Sequence, residues 1–378
     1  MHGRVVIVGA GLAGARCAQS LRAEGFEGEI ALVGDEPDLP YQRPALSKSF
    51  LAGARESLTL PGDWRPPAVR LVLGTRVERI DPGRRIVRTA SGDLEWDALV
   101  LATGARPRRI SGLVGPGVHV LRTRAEAERL RAELTPGRRL AIVGAGFVGT
   151  EVASTALELG LDVAIVEAAS TPFERALGRD VGRLLAAHYR SHGVELRLGA
   201  RLGRIRRDGT GALRALTLAD GTELRCDVVL VAVGAAAAGE LVGLPDGIPT
   251  DEVGRTALRD VYACGDVAAR WHRPAGRHLR LEHWTSAAAQ GTAVARAILD
   301  HEQATSPSPY FWSDQFGVRI QHVGVPTGWA HVVLEHEDDS LEARYLADDG
   351  RLLAALLVNR PRAAAELRRR LASEAIAA

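Results

Sequence analysis

Two glycine patterns carry the most specific chemistry in the chain. Gly9-Ala-Gly11-Leu-Ala-Gly14 and Gly144-Ala-Gly146-Phe-Val-Gly149 both read GxGxxG. Each follows a β-branched run (4–8 and 140–143) and precedes a helix-like stretch reaching about residues 24 and 159. The spacing has a physical reading. The first glycine permits the tight turn out of the strand, the second lets a pyrophosphate approach the backbone, and the third lets the helix pack close to the sheet. The free N–H groups and positive dipole end of the helix then face the phosphates. Either copy alone also fits a tight turn of small residues. Two copies, each followed by a strand ending in an acid, predict two dinucleotide sites. In the second unit Glu167 stands directly after the strand 163–166, placed to accept from both ribose hydroxyls and to repel a 2′-phosphate, which favours NADH over NADPH. In the first unit the strand 30–33 leads to Asp35, preferred as the ribose ligand, with Glu36 the alternative.

Two further strands, 97–102 and 227–233, run into Thr103-Gly104 and Gly234, where doubly wound sheets hold ligands. Hairpin-like series precede each of them (69–95 and 194–225), so each half reads as a doubly wound sheet with an inserted meander. The stretch 304–309, rich in Ser and Pro, reads as a linker, and the strand-rich tail beyond it closes with a helix over 362–372. The fold class is therefore α/β: two Rossmann-like dinucleotide-binding domains and a small α+β C-terminal domain.

Bulk composition excludes several functions. Lysine and arginine number 48 against 46 acids, a net charge of +2, which gives no reason to expect nucleic-acid binding. No run of about 18 apolar residues exists, so no membrane span is expected, and no targeting segment is read at the N-terminus. Cys17, Cys226 and Cys264 form no spaced pair, which fits a reducing, cytoplasmic setting and no metal site.

Between and beyond the glycine motifs lie 40–48 (PYQRPALSK), 99–107 (LVLATGARP), 261–268 (VYACGDVA), Glu282-His-Trp284, Gln290-Gly291 and 311–315 (FWSDQ). In this order they resemble the FAD-dependent NADH:ferredoxin reductases of bacterial oxygenase systems, of the putidaredoxin, rhodocoxin and biphenyl-dioxygenase reductase type. The resemblance covers essentially the whole chain. It implies a glutathione-reductase-like fold with an FAD domain over 1–107 and 236–305, an NADH domain over 108–235, and a C-terminal domain over 306–378. Two departures stand out: Ala45 replaces the second proline of the usual RPPLSK run, and 234–240 lacks the Pro-Asn that commonly follows this glycine.

Residue by residue, the resemblance assigns FAD to Gly9, Gly11, Ala13, Gly14, Asp35, Arg43, Lys48, Val77, Ala102, Thr103, Gly104, Asp266 and Trp284. It assigns NADH to Gly144, Gly146, Val148, Gly149, Glu167 and Arg175. Lys48 is implied to lie beside the flavin and to pair with Glu151 across the domain boundary, the two acting as catalytic residues. Asp266, read as opening a helix-like stretch after Gly265, is expected on the ribityl chain, and Trp284 and Trp312 near the flavin opening. Disulfide reductases of this fold carry a CxxxxC near the flavin, and NADH peroxidases a single reactive cysteine; the segment 41–51 has neither. The expected partner is an iron–sulfur ferredoxin feeding a cytochrome P450 or Rieske oxygenase, with the protein a monomer or homodimer. Another acceptor (rubredoxin, quinone, small molecule), or a redox-sensing role like that of the apoptosis-inducing factor, is the alternative. Arg277, Arg280 and Arg319 are candidate docking cations.

Overall fold

Runs such as RVVIV and RLAIV have no polar alternation, so their strands must be covered on both faces, as in parallel sheets flanked by other layers. The computed structural model, which describes residues 3–65, 68–301 and 308–377, contains two such sheets. In the first, five parallel strands run in the order Val261–Ala263, Ala98–Leu101, Arg4–Val8, Glu29–Val33, Arg70–Val72. In the second the order is Glu195–Leu198, Asp162–Glu167, Arg139–Val143, Val228–Val231, Val118–His119. Each glycine motif leaves the central strand, where the order reverses and a crevice opens at the carboxyl edge.

The register repeats from one half to the other. Val8 pairs with Val33 and Leu101, and Val143 with Val166 and Val231. Gly9 N–H then donates to Val33 O (2.7 Å), and Gly144 N–H to Val166 O (2.9 Å). This brings each glycine turn beside the acid-bearing strand end. Each sheet carries a three-stranded antiparallel meander, Val77–Asp81/Ile86–Thr89/Gly92–Glu95 in the first half and Leu202–Arg207/Leu213–Leu218/Glu223–Arg225 in the second. The two halves are joined by an antiparallel pair of short strands, Ala105–Pro107 and Ala235–Ala237.

Helix Leu12–Ala23 packs along helix Trp284–Ile298. Gly291 permits the contact, since a Cβ there would lie 2.3 Å from Ala13 O. The C-terminal unit is a five-stranded antiparallel sheet, Tyr310–Gln315, Val318–Gly324, Leu352–Val358, Ser340–Leu346, His331–Glu337, backed by helix Pro361–Ala377. That helix is longer than the 362–372 read from sequence. Asp266 does not open a helix as the sequence suggested: it sits in a single turn, Gly265–Val267, that leads directly into strand Ala268–His272. Residues 304–307 of the expected linker, and the expected domain boundary at 305/306, lie outside the described residues. Among the described residues no helix is long and apolar enough to cross a membrane, and no cluster of His, Cys, Asp or Glu could hold a metal ion.

Candidate dinucleotide and electron-transfer site

The first glycine turn is built by steric exclusion. Gly9 has φ +117°, and a Cβ on it would lie 2.1 Å from Ala102 O; one on Gly14 would lie 2.1 Å from Gly9 O. A Cβ on Gly11 would meet nothing within 4 Å. The second turn repeats this: Gly144 (φ +105°) and Gly149 are blocked at 2.5 and 2.3 Å, and Gly146 is open. The first and third glycines close the fold, while the middle one borders space that the protein leaves unfilled. That is the cradle a pyrophosphate requires, so the residues fit two dinucleotides.

From the first turn a cavity of about 1300 Å³ extends between the sheets to the C-terminal unit. Its wall includes Gly9, Gly11, Ala13, Asp35, Arg43, Lys48, Val77, Ala102, Thr103, Gly104, Asp266 and Trp284. Gly14 lies behind the turn instead of on the wall, because its role is helix packing. Thr103 Oγ1 donates to Ala238 O (2.6 Å), which stitches the crossover beside the cavity. Val77, buried, begins a meander strand and borders the cavity. Asp35 is exposed at the strand end. The rival acid Glu36 is already engaged, accepting from Tyr41 Oη and Arg43 Nη2 (both 2.6 Å), which leaves Asp35 the freer acceptor. Arg43 also donates to Arg122 O (2.8 Å).

Lys48 and Glu151 meet on this wall. Lys48 Nζ lies 2.5 Å from Glu151 Oε1, with side-chain exposures of 23% and 9%. Glu151 comes from the second glycine-motif helix, Phe147–Glu158, whose Phe147 and Val148 face the same cavity. Val148 therefore stands on the shared wall. Gly144, Gly146, Gly149 and Glu167 are not on this wall; they lie together at the carboxyl edge of the second sheet. Glu167 accepts from Ala145 N–H and Ala169 N–H (both 2.8 Å), which holds its carboxylate at the second turn. Arg175 is exposed in the short helix Glu174–Leu177.

At the far end the aromatic rings assemble. Trp284 meets Trp312 edge-on (6.1 Å, 70°), and Trp312 stacks on Tyr310 (6.0 Å, 27°). Phe311 contacts His283 (4.5 Å) and stacks on His322 (5.1 Å, 15°). Burial pushes the His283 imidazole down to about 4 and His322 to about 3, so both are neutral. Burial likewise raises the Glu282 carboxyl, opposed by the adjacent Arg280.

Sequence reasoning missed Arg122. Its Nη2 lies 2.6 Å from Asp266 Oδ2, across 144 residues, and both line the cavity. A local signal existed: Thr123 and Glu126 form a capping box that fixes the start of helix Arg124–Glu133 and thus the position of Arg122. Arg280, read as a docking cation, lies just past strand Arg277–Leu279 and is tied inward, donating to Asp266 O and Glu282 Oε1 (2.9 and 2.5 Å), with its side chain 20% exposed.

Two glycine cradles for dinucleotides, joined by a part-buried lysine–glutamate pair, define a pyridine-nucleotide-dependent flavoprotein oxidoreductase. The family comparisons agree. Residues 3–291 match the pyridine nucleotide-disulphide oxidoreductase model and residues 310–377 the reductase C-terminal model. The chain belongs to this family, in its ferredoxin reductase branch, with FAD and NAD(H) as cofactors. It is 38% identical to the benzene 1,2-dioxygenase system ferredoxin–NAD(+) reductase subunit of Pseudomonas putida, the match covering 96% of this chain and 90% of the relative. It is 38% identical to the rhodocoxin reductase of Rhodococcus erythropolis, covering 98% and 90%. Among solved structures, the covalent putidaredoxin reductase–putidaredoxin complex superposes with a TM-score of 0.93 at 31% identity, covering 98% of this chain and 93% of that one.

Proposed function

We propose that this protein takes electrons from NADH and passes them through FAD to an iron–sulfur ferredoxin serving a P450 or Rieske oxygenase. FAD, when bound, supplies the conversion from a hydride donor to single-electron delivery. The chain supplies geometry and charge. The glycine turns hold the two pyrophosphates. Arg122 and Arg43 carry positive charge to the cavity wall, and the Asp266 carboxylate is available to a polyol. Lys48 places a cation where negative charge would grow, with Glu151 fixing its ammonium. Asp35 and Glu167 serve as ribose ligands, and Arg175 is assigned to the NADH phosphate region.

The observation that carries the reading is the redox poverty of the cavity wall. Cys17, Cys226 and Cys264 are all buried and none lines it, so the wall offers no thiol relay. That favours an external one-electron acceptor. The wall's Trp284 and Trp312, with exposed Arg277 and Arg319 nearby in sequence, favour an acidic protein partner. We assign the protein to the cytoplasm, as a monomer or homodimer. Anaerobic stopped-flow mixing tests the function: NADH should bleach bound flavin, and a ferredoxin should restore its colour. Bleaching by NADH with recovery only by oxygen, quinone or rubredoxin would reassign the acceptor. Failure of NADH to bleach would remove the function altogether.

A further inference from the structure

Glu151 receives more than Lys48. Ser47 Oγ donates to its Oε2 (2.5 Å), and Ser313 Oγ donates to its Oε1 (2.6 Å). The three donors come from distant parts of the chain: Ser47 and Lys48 from the segment between strands Glu29–Val33 and Arg70–Val72 of the first sheet, and Ser313 from the first strand of the C-terminal sheet. Ser313 is 1% exposed and Glu151 7%. A serine hydroxyl has one proton, and a carboxylate can only accept it. Gln315, 3% exposed, completes the arrangement: its Nε2 donates to Ser313 Oγ (3.0 Å), so the hydroxyl proton is free to point at Glu151. Thr155 Oγ1 donates to Ser47 O (2.9 Å), and Phe316 N–H donates to Ser154 Oγ (2.8 Å). The helix that carries Glu151 is thus pinned on both sides. The residue before Ser313 is Trp312, on the cavity wall.

We propose that Ser313, oriented by Gln315, is a positioning residue for flavin reduction: it fixes and partly neutralises Glu151, and through Glu151 it sets the field that Lys48 projects into the cavity. This inference rests on the proposed function. It ties the face that would meet the electron acceptor to the wall that would meet the nicotinamide. A donor removed from a carboxylate leaves more uncompensated negative charge, which disfavours any process that adds electrons nearby.

The test is a dye-equilibrated reductive titration of the FAD-loaded protein with a chemical reductant, read as the midpoint potential. In Ser313→Ala the ratio of reduced to oxidised protein at a fixed potential should fall roughly threefold, the scale of a third of a charge acting over about 8 Å at an effective dielectric of about 20. Ser313→Thr, which keeps the hydroxyl, should restore it. Gln315→Met, which keeps the volume and removes the amide, should shift it in the same direction as Ser313→Ala. An unchanged potential in Ser313→Ala and Gln315→Met overturns the proposal. So does an equal shift in Ser313→Thr, which would assign the effect to packing. If Ser313→Ala does not fold, the Gln315→Met result decides. A parent protein that binds FAD but is not reduced by NADH would refute the proposed function, while this titration, which uses no NADH, would still be readable.

Discussion

The middle glycine of the second motif offers a sharp separation between folding and binding. Gly146 is the residue before helix Phe147–Glu158, at φ −88° and ψ −177°, a conformation open to alanine. Its added Cβ would meet no protein atom within 4 Å. Gly146→Ala should therefore cost the fold only the N-cap preference of glycine over alanine, about 1 kcal/mol. The same methyl group enters the space where the NADH pyrophosphate must lie. Forcing a methyl group into a filled contact costs about 1–3 kcal/mol, a loss of about 5- to 150-fold in affinity. The assay is NADH titration of the flavin-loaded variant, with flavin content measured alongside. Flavin content should match the parent while the NADH concentration for half-maximal reduction rises within that range. Gly149→Ala is the contrast: its Cβ would stand 2.3 Å from Gly144 O, so it should damage the turn itself. Parental NADH affinity in Gly146→Ala, or flavin lost together with NADH, would refute the assignment of this crevice.

Glu167→Gln should narrow the preference for NADH over NADPH by at least about tenfold, since hydrogen bonds to a charged group contribute about 1.5–3 kcal/mol; steady-state rates with both nucleotides decide it. Arg122→Met should weaken FAD retention, read as fluorescence of released flavin. Breaking the 2.6 Å pair with Asp266 is worth about 1–2 kcal/mol once the 30% exposure of Arg122 is discounted. His322 makes a pH prediction. Buried neutral, with both ring nitrogens unpartnered, its folded value near 3 lies below the ordinary 6.5. The unfolded chain then binds more protons below about pH 6.5, so stability is complete above that pH and is lost as pH falls toward 3. His322→Phe should remove up to about 1.4 kcal/mol per pH unit of this acid slope, checked by denaturant midpoints across the range.

Much of the site is legible in the chain because its determinants are local. A glycine that must adopt positive φ, such as Gly9 or Gly144, announces itself in a short window, and so does an acid ending the next strand, such as Glu167. The doubly wound order follows from the same windows. What escapes is pairing over distance. Nothing local says that Arg122 reaches Asp266, or that Ser313 reaches Glu151 across 162 residues. Arg280 shows the converse: a cation near an aromatic motif reads as free surface charge, yet its guanidinium is tied to Asp266 O and Glu282. Asp266 was misplaced on a helix because an aspartate after a glycine suits a helix start, and the strand that follows is fixed by pairing with Ile248–Thr250.

The short antiparallel pair Ala105–Pro107 and Ala235–Ala237 has an architectural meaning. The chain leaves the first sheet and returns to it side by side, so the 127 residues between Pro107 and Ala235 form a loop closed at its own base. Such a loop is a cassette. It can be excised at one seam and exchanged for a counterpart of different nucleotide preference, and the flanking sheet keeps its strand order because the two cut ends already lie next to each other.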